Sequence, residues 1–143
     1  MRTALLVLAL VLVPACAEPL PIRMSDGLAE LPDEVEDACH FWGIECALSD
    51  RIYGAVFVSL VEVAHGAEDL GQNWGADSCR PGLWVDPSAH HRLEHELGHL
   101  LVGPAHAEDP GNVMFHSGAE DAEVTDDQLD AAEKSADRIV RCR

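Results

Sequence analysis

The sequence predicts one small α+β domain, and three observations carry that prediction. A length of 143 residues suits a single domain. Apolar residues spaced three and four apart mark helices near positions 31–42, 88–102 and 125–140. Between the first two helices, the segment from Ile52 to Val63 is rich in Val, Ile, Phe and Tyr, all strand formers.

The N-terminus is set apart before any fold reasoning. Arg2 supplies a short positive region, and Ala4 to Val13 is an unbroken small and apolar run. The run is too short to span a bilayer and fits the apolar core of a signal peptide. It ends in Val13-Pro14-Ala15-Cys16, which resembles a bacterial lipobox, although Pro14 is unusual there. Residues 1–15 therefore read as a lipoprotein-type signal peptide, with Cys16 as the lipidation site. Residues 16–30, containing Pro19, Pro21 and Gly27, read as a tether. Residues 31–143 read as the folded domain. The alternative is ordinary cleavage near Ala15 or Ala17 and free secretion.

The cysteines agree with export. Of five, Cys16 is assigned to lipid, leaving Cys39, Cys46, Cys79 and Cys142 for two disulfides. Three pairings are open. Cys39–Cys46 with Cys79–Cys142 is preferred, because the first pair is local across a turn at Gly43. The formal charge of −17 repels nucleic acid and anionic headgroups. No nucleic-acid partner is expected, membrane association is expected only through a lipid anchor, and the chain is expected to be a monomer.

Each element has its own signals. Pro32 suits a first helical turn, Val35, Ala38, Cys39 and Trp42 share one face, and Gly43 is a stop. Gly54 is a point where the strand run can bend. Residues 65–82, with Gly66, Gly71, Gly75, Pro81 and Gly82, read as a long surface loop. Leu83 to Asp86 is a short strand. Gly103-Pro104 ends the middle helix. Thr125-Asp126-Asp127-Gln128 resembles a capping box opening the last helix, whose buried face is Leu129, Ala132, Ala136, Ile139 and Val140.

The middle helix carries the chemistry in His95-Glu96-Leu97-Gly98-His99. Residues four apart on a helix project side by side, so His95 and His99 can bind one zinc ion. Glu96 stands beside the first ligand, placed to take a proton from a zinc-bound water whose pKa falls to about 7. Beyond Gly103, His106 can complete three protein ligands, the usual catalytic zinc arrangement. Gly98 costs about 1 kcal/mol of helix propensity against Ala, so a packing reason is expected.

The stretch from His95 to His106, followed by Asp109-Pro110-Gly111-Asn112-Val113-Met114-Phe115, resembles the metzincin zinc peptidases, the matrixin branch most closely. The resemblance implies a small metzincin-like zincin domain. Its short mixed sheet would be accompanied by an N-terminal helix, an active-site helix and a C-terminal helix. It implies zinc on His95, His99 and His106, Glu96 as general base, and Met114 as the methionine of a turn beneath the metal. The family pattern places glycine three residues after the second histidine. Here Val102 stands there and the glycine is Gly103. One added helical residue rotates the exit by about 100°, which the turn must absorb for His106 to reach the metal. Asp109 is the fallback oxygen ligand.

Other residues have plainer readings. Phe115 and His116, just after the methionine, are candidates to line a substrate pocket. His90 and His91 read as first-turn residues, and His40 and His65 as surface. Trp74 and Trp84 read as packing residues. The acidic run near Glu120 to Asp130 reads as a solvated face. The expected function is a zinc metalloendopeptidase, exported and either lipid-anchored to the bacterial cell envelope or secreted, acting on peptide or protein substrates. The alternatives are an inactive zinc-binding surface lipoprotein and a disulfide-bonded interaction module.

Overall fold

The computed structural model of the chain describes residues 18–64, 70–89, 91–115 and 122–142. In order, its elements are β1 (Leu20–Met24), α1 (Asp33–Phe41), β2 (Cys46–Leu48), β3 (Val56–Leu60), β4 (Gly71–Trp74), β5 (Gly82–Val85), α2 (Arg92–Val102) and α3 (Asp126–Val140). The strands form one mixed sheet in the order β2-β1-β3-β5-β4, with only β4 antiparallel to its neighbour. The architecture is α+β, as the sequence predicts. No helix among the described residues is long and apolar enough to cross a membrane.

The strand β1 corrects the tether. Leu20, Ile22 and Met24 are buried in the core, so the fold begins well before residue 31. Two prolines and Gly27 hid the alternation of Leu20, Ile22 and Met24 with Pro21 and Arg23. Proline is tolerated in this interior strand for a directional reason. The Leu20 N–H and the Ile22 carbonyl bond towards the β2 side, so Pro21 faces β3. Pairing with β3 starts only at Ile22, so no ladder bond requires the N–H that Pro21 lacks.

Other boundaries also move. The strand run shortens to β3, leaving Ile52 and Tyr53 exposed. Residues 65–82 are not all loop, because Gly71–Trp74 pairs with Gly82–Val85 as the sheet edge. The middle helix starts at Arg92 rather than 88. Asp86, buried at the end of β5, accepts from Ser88 N–H, Ser88 Oγ and Val63 N–H, so the chain turns there first. The last helix opens at Thr125 with the expected capping box.

The three helices cover one face of the sheet. Val56, Val58, Leu83 and Val85 point into this core, where they join Val35, Ala38, Trp42, Leu97, Leu100 and Ile139. The opposite face carries Arg23, Phe57, Trp74 and Trp84, following the two-residue alternation of each strand.

Two disulfides close the domain, in the preferred pairing Cys39–Cys46 and Cys79–Cys142. They fit an extracellular or otherwise oxidising compartment. Their loops span sequence separations of 7 and 63 residues. Loop-closure entropy assigns about 2 kcal/mol to the short loop and about 4 kcal/mol to the long one. Replacing Cys79 and Cys142 together by serine should therefore lower the urea midpoint more than replacing Cys39 and Cys46. An equal or reversed order would show that native packing, not loop length, sets their value.

Candidate metal centre

Helix α2 presents His95 and His99 on its buried side, and His106 approaches from the loop beyond its end. One ring nitrogen from each lies within 4.8 Å of the others. The first two are buried and His106 is exposed. Hydrogen bonds fix the tautomers. His95 Nδ1 faces the Val113 carbonyl at 2.7 Å, and His99 Nδ1 faces the Gly103 carbonyl at 3.1 Å. A carbonyl can only accept, so each Nδ1 carries the proton and each Nε2 keeps its lone pair. Those two Nε2 atoms stand 3.1 Å apart. Ligand nitrogens on tetrahedral zinc are separated by about 3.4 Å, for bonds of about 2.1 Å. Burial pushes the His95 imidazole below its ordinary pKa, opposed by the Val113 carbonyl. The neutral form favoured by burial is the one a metal requires. Together the three histidines could hold a metal ion.

Helix α2 ends at Val102, and Gly103 then turns the chain with φ 106°. That conformation is open to glycine and strained for other residues. Asp109, the fallback ligand, is used otherwise, its Oδ1 accepting from Gly111 N–H at 2.9 Å.

The segment Asn112–Phe115 locks this arrangement. Its successive carbonyls reach both parts of the triad, Val113 accepting from His95 and Met114 accepting from Ala107 N–H, next to His106. Buried Asn112 accepts from Met114 N–H and exchanges bonds with Gln128 of the α3 cap. Met114 is fully buried against α2. Phe115 is half-buried at the end of the turn, its N–H donating to the Asn112 carbonyl. His116 and Cys16 lie outside the described residues, as do His65 and His90.

Glu96, next to His95 in α2, is buried. Asn73 Nδ2, from edge strand β4, donates to its Oε2 at 2.7 Å. The Arg92 Nε lies 3.3 Å from its Oε1 as an ion pair, without hydrogen-bond alignment. Sequence reasoning missed Asn73, Arg92, Asn112 and Gln128. Arg92 carried a readable signal, since it lies four residues before Glu96 on the same helix. Asn73 carried none, because its strand is hidden in a glycine-rich stretch.

No family model matches the chain, and no curated protein matches it in sequence.

The packing reason for Gly98 is visible. A Cβ there would collide with the Met114 sulfur and the Trp42 ring. Gly98→Ala should therefore destabilise the domain by about 1–3 kcal/mol, although alanine is the better helix former. Chemical denaturation measures this; a variant as stable as the parent would show that the contact gives way freely.

Proposed function

We propose that this protein is a zinc-dependent endopeptidase of the metzincin kind. One observation carries the reading: two imidazole lone pairs are aimed at each other 3.1 Å apart, inside the domain, by carbonyls that fix both tautomers. Facing lone pairs repel unless a cation lies between them, and His106 supplies a third donor to the same point. An all-imidazole, three-ligand set with room for a further ligand suits zinc. Zinc, when bound, supplies a Lewis acid and acidifies water at neutral pH.

The chain's own residues supply the rest. Glu96 is the carboxylate beside the triad and accepts a proton in the reading proposed here. Asn73 and Arg92 hold it against the helix so that it need not be ordered during the reaction. The edge strand β4 lies along this side of the sheet and would border a peptide substrate. Export with a lipid on Cys16, and a monomeric state, belong to the same proposal.

A second reading, zinc binding without hydrolysis, is favoured by one feature. Both Glu96 oxygens already face donors, Asn73 and Arg92. A water bound beside the triad would have to compete with these two donors for the carboxylate.

The protein should bind about one zinc per chain, and His99→Ala should lose most of it, because two remaining ligands hold zinc poorly. Emission spectroscopy on purified protein checks this, and a full equivalent of zinc in the variant would refute the site.

Glu96→Gln separates the two readings. It should retain zinc and lose about 10²–10⁴-fold in hydrolysis of a casein substrate. Equal turnover by variant and parent would remove Glu96 from the mechanism. No turnover by the parent on varied protein substrates would favour the second reading.

A further inference from the structure

The outer face of the sheet carries a basic and aromatic patch that the metal chemistry does not use. Cross-strand pairing puts Arg23, Phe57, Gly82 and Trp74 in one row. Gly82 has no side chain, and the Trp74 indole lies over it, so a Cβ at Gly82 would run into the ring. This brings Trp74 to within 6.2 Å of the Phe57 ring, between centroids. The Arg23 guanidinium lies 6.0 Å from the same Phe57 ring. Arg51 and Arg80 join Arg23 around a hollow of about 200 Å³. Three of the nine Lys and Arg residues of a chain carrying −17 thus meet at one place.

Their charges are largely unneutralised. Arg51 donates to the Val140 and Cys142 carbonyls and faces Glu18 at 3.7 Å. Arg80 lies over the Tyr53 ring, 3.9 Å from its centroid. Neither Arg23 nor Arg80 has a carboxylate partner among the described residues. Around them Ile52, Tyr53 and Trp74 are 56%, 48% and 44% exposed. Exposed Tyr and Trp beside Arg form the pattern of a surface that sits at a lipid–water interface.

We propose that this face docks on the phospholipid phosphates of an anionic bilayer. Arginine forks match phosphate oxygens, while the aromatic rings and Ile52 enter the headgroup layer. The acidic residues in the first turns of α1 and α3 lie on helices across the sheet. Salt screens the long-range repulsion between these carboxylates and the bilayer, while the arginines act at contact. The geometry of attachment agrees. Glu18, two residues after Cys16, reaches Arg51 at the rim of this patch. A lipid on Cys16 would enter the membrane beside it, since two residues span only about 7 Å. The inference does not depend on the zinc chemistry.

The test uses the chain from residue 17 onward, which contains every described element and both disulfides but no lipid. It is sedimented with phosphatidylcholine vesicles, with or without phosphatidylglycerol. Binding is expected only to the anionic vesicles and should fall at high salt. The double variant Arg23→Gln, Arg80→Gln should lose about 30-fold in partitioning. Arg138→Gln, which alters the Asp77 pair elsewhere, should bind like the parent. An unchanged melting temperature shows that the double variant is folded. Equal binding to both vesicle types, no binding to either, or parental binding by the double variant would each overturn the proposal. Capture of poly-glutamate without capture of vesicles would also overturn it, and would mark the patch as a site for acidic protein.

Discussion

The candidate site depends on one close approach. Helix α2 has no side chain at Gly98, and the sulfur of Met114 and the ring of Trp42 meet its backbone there. That contact seats the turn at Asn112–Phe115 against the helix bearing two of the histidines. From this position the Val113 carbonyl orients His95, and the Met114 carbonyl holds the strand of chain next to His106. A larger residue at position 98 would lift the turn, drawing the Val113 carbonyl away from His95 and the chain next to His106 away from α2. His95 and His99 are thus kept in place by backbone carbonyls and a packed core, and the loop bearing His106 is tied to the same turn.

Much of this was legible in the sequence, for physical reasons. The i, i+4 histidines had to share a helix face, and a glycine within that helix had to have a packing cause. The capping box at Thr125 named the start of α3, because its side chains satisfy their own backbone donors. The local disulfide followed from a short loop around Gly43. The added residue before Gly103 was legible as a problem but not as a solution, since the sequence does not state that Gly103 takes φ 106°.

What stayed hidden was set by neighbours distant in sequence. Strand β1 contains Pro21, with Pro19 just before it, and only its register with β2 and β3 shows that Pro21 costs no ladder bond. Strand β4 is Gly71-Gln72-Asn73-Trp74, which no strand propensity would select. It exists because β5 offers it an edge and because Gly82 leaves space for its tryptophan. Asn73 therefore reaches Glu96 through tertiary pairing alone. Asn112 and Gln128 are likewise polar residues whose meaning appears only when the α3 cap and the turn are brought together.

The two disulfides fit this logic. Cys39 lies in α1, three residues before the Trp42 that packs on Gly98, and it ties that helix to β2. Cys142 follows α3, which carries Gln128, and it ties that helix to Cys79 in the connection between β4 and β5. Each bridge pins one of the two helices that back the histidine triad to the sheet. A domain this small buries a limited fraction of its surface, so core packing alone holds its helices weakly. The crosslinks restrain those helices from outside the site, which leaves the interior next to the triad free for Glu96, Asn73 and Arg92. On the opposite face of the sheet, packing is among the strands' own side chains, Trp74 lying over Gly82 and beside Phe57. That is why arginine and tryptophan can stand there exposed without cost to the core.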